Sequence, residues 1–129
     1  MIQSEMETPW QVLAATIMMN RVRGSVAHSV IRKIIKRYPT PEAMMEANSV
    51  ILELRLKKLG FQKRRARSLM SMSSKFVSQS KTGRVDLNSL PGVGPYAKQV
   101  WKVLVDKDFR VKTNDPSLKA YLKKARRKR

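Results

Sequence analysis

The residues with the most chemical content lie between Leu90 and Tyr121. Leu90-Pro91-Gly92-Val93-Gly94-Pro95-Tyr96-Ala97 puts two glycines two positions apart, directly ahead of an amphipathic run. Glycine accepts left-handed backbone angles, so this spacing predicts a tight turn. The missing side chains also let another backbone come close. The turn would gather the free amides of the next helix start at one point, and those amides, aided by the helix dipole, attract an anion. Lys98 and Lys102 follow on the same helix and add charge. A Gly-x-Gly turn is common by itself; the whole string in a basic chain is more specific, and a backbone phosphate suits it. Asp115, followed by Pro116, allows two compatible readings. It can cap a helix with proline at the first helical position, which the residues alone favour. It can also be a lone carboxylate that stabilises developing positive charge or deprotonates water. His28, the single histidine, cannot build a metal site alone and reads as an ordinary helix residue.

The charge balance says what such a turn would meet. The 129 residues carry 28 Lys and Arg against 9 Asp and Glu, a formal net charge of +19. A chain so charged repels itself and attracts polyanions. Nucleic acid is the leading partner, because each neutralised phosphate releases condensed counterions. An anionic membrane surface is the weaker choice: no apolar run approaches the ~18 residues of a membrane span. The N-terminus, with Gln3, Glu5 and Glu7, does not read as a signal peptide. Cysteine is absent, which excludes disulfides, thiolate zinc sites and cysteine-ligated iron–sulfur clusters; no cofactor is expected.

The elements that must position these residues read as helices. Hydrophobic residues make up 42% of the chain, enough for one domain with a real core. Thr8-Pro9-Trp10-Gln11 reads as a capping box opening a helix to about Met19. Ser25 can cap a second helix, with Val26, Val30, Ile31, Ile34 and Ile35 on its apolar face. Thr40-Pro41 starts a short third helix. Asn48 starts a fourth with Ile51, Leu54 and Leu59 apolar, stopped by Gly60. A long fifth helix carries Ala66, Leu69, Met70, Ser73, Phe76 and Val77 and has a basic first half. Asp86 opens one turn, a helix runs from about Tyr96 to Val105, and the last begins after Asp115-Pro116 with Leu118, Tyr121 and Leu122. Trp10 and Trp101 read as core, and the eight methionines as core filler. No alternation is long enough for a strand, so the fold class is all-α. Residues 123–129 read as a frayed basic tail.

At these residues the chain resembles the helix-hairpin-helix DNA glycosylase superfamily, which includes endonuclease III and the adenine mismatch glycosylase. The likeness extends beyond the hairpin. Pro9-Trp10-Gln11-Val12-Leu13-Ala14-Ala15-Thr16-Ile17, followed by Asn20-Arg21 and Gly24, is similar to the catalytic domain of the methyl-CpG-binding-domain thymine glycosylases. So are Tyr38-Pro39-Thr40, Leu59-Gly60-Phe61 with Arg65-Ala66-Arg67, and Asp115 with Leu118 and Tyr121. The methyl-CpG-binding module has no counterpart here. The resemblance implies a compact two-lobed helical domain over residues 1–122 with a DNA cleft between the lobes. It also implies base excision repair of a mismatched or damaged pyrimidine in duplex DNA: thymine or uracil opposite guanine, or 5-hydroxymethyluracil. A monomer is expected, in a compartment that holds DNA, nucleus or nucleoid.

Site roles follow residue by residue. Asp115 matches the superfamily's catalytic aspartate. Tyr96 occupies the hairpin position where bifunctional members carry a lysine that attacks the sugar; tyrosine cannot form a Schiff base, so the expected nucleophile is water. Lys98, two residues on, lies on another helix face. Tyr96 would line the pocket, although the residue alone reads as an aromatic packing the hairpin. Arg21 matches an arginine that fills the gap left by an extruded nucleotide; otherwise it is one phosphate contact among many cations. Leu59 and Phe61 could wedge the opposite strand or belong to the core. Gln3 could contact the flipped pyrimidine. The backbone of Leu90 and Gly92 could hold a monovalent cation beside a phosphate. The alternative is a non-catalytic helix-hairpin-helix module that only binds DNA; a basic RNA-binding protein explains the charge but not the hairpin.

Overall fold

Side-chain caps set most of the helix starts. Thr8, Thr40, Asn48 and Asp115 each accept a hydrogen bond from the backbone amide three residues on, and three of the four are followed by proline at the first helical position. The computed structural model describes residues 1–22 and 24–128. Within them the helices are α1 (Pro9–Met19), α2 (Ser25–Arg37), α3 (Pro41–Met45), α4 (Ser49–Leu56), α5 (Gln62–Ser80), α6 (Pro95–Leu104) and α7 (Pro116–Arg127), with 3-10 turns at Ile2–Glu5, Lys57–Leu59 and Leu87–Ser89. No strand occurs among the described residues, and no helix there is long and apolar enough to cross a membrane.

Helix α1 is the axis of the molecule. Every residue from Trp10 to Met18 is buried, because two cores share this one helix. The larger core joins Leu13, Ala14, Ile17 and Met18 to Ile31, Ile34 and Ile35 of α2, Met44 of α3, Leu52 and Leu56 of α4, and Leu69 and Met72 of α5. The smaller core sets Val12 against Val100, Val103 and Leu104 of α6 and Leu118 and Leu122 of α7. A helix apolar on all sides belongs inside. Its polar groups are matched: Trp10 Nε1 donates to Ser73 Oγ at 3.0 Å, and Gln11 Nε2 to the Pro39 carbonyl at 2.9 Å. The capping box is half as expected. Thr8 Oγ1 accepts the Gln11 amide, but Gln11 Oε1 accepts from Glu7, one residue before the cap position.

The structure corrects several expectations. The cap of α2 is Gly24, not Ser25; Val26 is exposed, and Ala27 takes its place in the buried face. On α4 the buried pair is Leu52 and Leu56, leaving Val50, Ile51 and Leu54 at 63%, 45% and 66% exposure. Eight residues span little more than two turns, too few for the sequence pattern to fix the face. Trp101 is only half-buried, at the edge of the larger core. The basic tail is not frayed: α7 runs to Arg127, and Arg126 bonds the carbonyls of Phe109 and Val111. Arg129 lies outside the described residues.

Arg65 on α5 ties the frame together. It is buried, and its guanidinium donates to the carbonyls of Ile17 (3.1 Å), Met18 (3.3 Å), Asn20 (2.8 Å) and Gly60 (2.9 Å). These include carbonyls left unpaired at the C-terminal end of α1. Burial pushes its pKa below the usual arginine value. Arg65→Met keeps the stem and removes the donors, so it should cost about 2–4 kcal/mol, the scale of stranding buried carbonyls. Arg65→Lys should recover only part, because one ammonium cannot span the fork. Urea unfolding measures both; a loss below about 1 kcal/mol would mean that water serves those carbonyls.

Candidate active site

The hairpin joins the Leu87–Ser89 turn to α6. Leu90 is buried and its carbonyl accepts the Val93 amide at 3.3 Å, so one of the two backbone positions considered for a cation closes the turn internally. Among the described residues, no group of three His, Cys, Asp or Glu side chains could hold a metal ion. The two glycines differ. Gly92 has φ +78°, and a Cβ there would meet Ile17 Cδ1 at 3.2 Å and Ser68 Cβ at 3.3 Å. Gly94, expected to be left-handed as well, is extended at φ −100°, caps α6 without a side chain, and would place a Cβ in open space. A side chain at Gly92 would therefore be strained and would press on its neighbours. Gly94 leaves room outside the protein.

Tyr96, in the first turn of α6, meets Asp115 at the start of α7. The phenol donates to Asp115 Oδ2 at 3.3 Å, and the same oxygen accepts the Leu118 amide at 2.9 Å. Among the described residues no hydrogen bond falls on Oδ1. Asp115 is thus the helix cap and a carboxylate with one oxygen still available. Thr113 fixes its approach: Thr113 Oγ1 accepts the Asp115 amide at 3.1 Å and donates to Gln99 Oε1 at 3.0 Å. Burial, then the Asp115 charge and hydrogen bond, push the Tyr96 pKa from 10.0 up to about 12, while a hydrogen bond with Gln3 works the other way. Gln3 is 3% exposed on the first 3-10 turn.

Two adjoining clefts flank the hairpin. One, of about 440 Å³, is lined by Thr16, Asn20, Gly92, Val93, Gly94, Pro95, Tyr96 and Ala97. The other, of about 230 Å³, is lined by Ile17, Asn20, Arg21, Phe61, Arg64, Arg65, Ser68 and Gly92. Arg21 and Phe61 both have positive φ, +63° and +46°, a conformation that costs a non-glycine residue energy and gathers at functional sites. Phe61 is 62% exposed, whereas Leu59 is buried in the core, so only Phe61 presents a wedge-shaped side chain to solvent. Lys98 is half-buried on α6 and lines neither cleft. Arg64, Arg65 and Ser68 were not among the expected site residues; the signals were the basic first half of α5 and, for Arg65, its place in the string that resembles the family.

A family model described as "HhH-GPD superfamily base excision DNA repair protein" matches residues 14–126. The chain belongs to this superfamily. The HhH-GPD chain is 28% identical over 114 residues to a "Methyl-CpG-binding domain protein 4-like protein" of Arabidopsis thaliana, covering 88% of this chain and 25% of that one. It is 31% identical over 93 residues to a "Thymine/uracil-DNA glycosylase" of Pyrobaculum aerophilum, covering 69% and 40%. It therefore spans a quarter to two-fifths of the length of these curated relatives. Its fold is similar to that of a thermostable thymine-DNA glycosylase (TM-score 0.71, 21% identity, 81% of this chain and 50% of that one). It is also similar to endonuclease III in a non-covalent DNA complex (TM-score 0.67, 20% identity, 89% and 55%).

Two measurements follow. Gly92→Ser should lose about 1–2 kcal/mol in urea unfolding, the cost of a left-handed side chain. Gly94→Ser, extended and supplied with a capping hydroxyl, should stay within ~0.5 kcal/mol of the parent or gain. Equal losses would refute the division between the two glycines. The phenolate absorbance of the parent minus that of Tyr96→Phe isolates Tyr96, which should titrate near 12. Asp115→Asn should bring that midpoint down but keep it above 10, because burial is the larger cause. Since the folded pKa is raised, the unfolded chain loses this proton first: the contribution to stability is whole below pH 10 and is lost as pH rises towards 12. A midpoint of 10 in the parent would remove the Tyr96–Asp115 bond.

Proposed function

We propose that this HhH-GPD domain is a monofunctional DNA glycosylase that hydrolyses the N-glycosidic bond of a mismatched or damaged pyrimidine in duplex DNA. The single observation that carries the reading is the Tyr96 phenol donating to the Asp115 carboxylate beside a cleft floored by the hairpin. The printed names of the relatives, a thymine/uracil-DNA glycosylase and a methyl-CpG-binding domain protein 4-like protein, favour thymine or uracil opposite guanine as substrate; 5-hydroxymethyluracil belongs to the same class.

The chemistry runs through this chain's own groups. The amides at the start of α6 hold a backbone phosphate, which Gly94 lets come close. The target nucleotide leaves the stack and enters the larger cleft, at a cost of a few kcal/mol. Arg21 and Phe61, on the adjoining cleft, occupy the space it leaves. Gln3, buried and outside the lining of both clefts, acts through its hydrogen bond with Tyr96. As the base departs, positive charge grows on the sugar, and the Asp115 carboxylate stabilises it. The same carboxylate orients water and takes its proton as the oxygen bonds to C1′. Tyr96 supplies no amine. With a pKa of about 12 it stays a neutral phenol that holds Asp115 in place.

Duplexes carrying one defined lesion, treated with alkali after incubation, reveal excision as strand breaks. Asp115→Asn retains an oxygen that can cap α7, so the variant should fold and bind lesion DNA yet lose at least ~10²-fold in excision, the scale of one preorganised electrostatic group. Borohydride should trap no protein–DNA adduct during turnover. Full activity in folded Asp115→Asn would leave Asp115 as a cap alone. A trapped adduct would make a lysine the nucleophile. No excision of any lesion by the parent would favour a module that only binds DNA.

A further inference from the structure

The smaller cleft holds more cationic and donor groups than a gap-filling arginine needs. Arg65 at its wall is spent on four carbonyls. The other polar side chains that line it are Asn20, Arg21, Arg64 and Ser68, and no acidic residue is among the lining. Among the described residues, neither the Arg21 nor the Arg64 guanidinium has a carboxylate partner; the ion pairs there are Arg32–Glu5 and Arg110–Asp108. Nor does any hydrogen bond engage the Asn20 amide or the Ser68 hydroxyl within that set. Arg64 and Ser68 are four residues apart on α5 and so share one helix face. Asn20 and Arg21 follow the end of α1 and line the same recess. Besides Arg65, two arginines and two neutral polar residues thus line one recess of about 230 Å³. With no acidic residue in its lining the recess is electropositive, and an anion that enters it is attracted.

We propose that this cleft is a phosphate subsite for a DNA backbone group flanking the lesion, with Arg64 as its principal ligand and Ser68 as a second donor. The subsite rests on the glycosylase reading above. A guanidinium presents paired N–H groups to two phosphate oxygens, and Ser68 reaches from the same face. Holding the strand here leaves the neighbouring Arg21 to fill the vacated stack. The hairpin amides hold a second phosphate across Gly92, which borders both clefts.

The test uses lesion duplexes in which one phosphate at a time is replaced by an uncharged methylphosphonate. Affinity is measured for the parent, Arg64→Gln and Ser68→Ala, and excision by the parent is followed in parallel. Binding of the parent should drop about tenfold or more at one or two neighbouring phosphates. Arg64→Gln should be weakened on ordinary duplex and lose that drop, while keeping the drops due to the hairpin. The slope of log affinity against log salt should fall by about 0.9, one phosphate contact. Ser68→Ala, a smaller change at a half-buried position, should show part of the same coupling. If Arg64→Gln is weakened equally at every substituted phosphate, or not weakened at all, the subsite is refuted while excision by the parent keeps the glycosylase reading. If the parent neither binds nor cuts lesion DNA, the glycosylase reading fails first, and the subsite fails with it.

Discussion

Both walls of the site depend on one buried cation. The Arg65 guanidinium takes the carbonyls of Ile17, Met18 and Asn20 at the end of α1 and that of Gly60 before α5. It has no carboxylate partner among the described residues. Its charge is balanced by carbonyl dipoles, at the end of a helix where the macrodipole is negative. That choice matters in a chain with 28 basic and 9 acidic residues: carboxylates are scarce, and a carbonyl clamp uses none. The clamp fixes the turn that presents Asn20 and Arg21 and the loop that presents Phe61. Both turns carry a residue with positive φ, and such angles persist only where the surroundings enforce them.

The hairpin is held by the same helix. Gly92 packs tightly on Ile17 of α1 and Ser68 of α5, where a Cβ would press at 3.2 and 3.3 Å, so α1, α5 and the turn meet at one point. From there α6 leads to Tyr96, and α7, packed on α6 through Val100, Leu118 and Leu122, brings Asp115 back to it. Because Val12 belongs to the smaller core and Leu13, Ala14 and Ile17 to the larger, the two cores are faces of one helix. Opening either core therefore uncovers one face of α1.

Much of this was legible from local chemistry. Thr8-Pro9, Thr40-Pro41, Asn48 and Asp115-Pro116 announced four helix starts because a cap acts on amides three residues away. The all-helical class and the superfamily were legible for the same reason, since their signals are short strings. What was missed depends on contacts distant in sequence. Nothing local to Arg65 says that it will turn inward to the end of α1. Gly92 and Gly94 look alike in the string, yet only the first is pressed against Ile17. Gln3 read as a contact to the pyrimidine, and nothing local says that the packing of the first turn on α1 buries it. The sequence pattern put Ile51 and Leu54 on the apolar face of α4, and packing against distant helices buries Leu52 and Leu56 instead. Leu59 and Phe61 were equivalent candidates until Gly60, at φ +76°, turned one inward and the other out.

The choice made on α4 has a colloidal consequence. Val50, Ile51 and Leu54 form an uncovered oily stripe on a surface of net charge +19. In dilute buffer, long-range repulsion keeps such molecules apart before their stripes can touch. Electrolyte shortens that repulsion to about 10 Å at 0.1 M and about 3 Å at 1 M, while sulfate and phosphate strengthen apolar association. Strong salt thus weakens the repulsion between copies and strengthens the pull of the stripe at the same time. A bound polyanion that cancels the positive charge acts in the same direction, so crowding on nucleic acid brings these stripes within reach of one another.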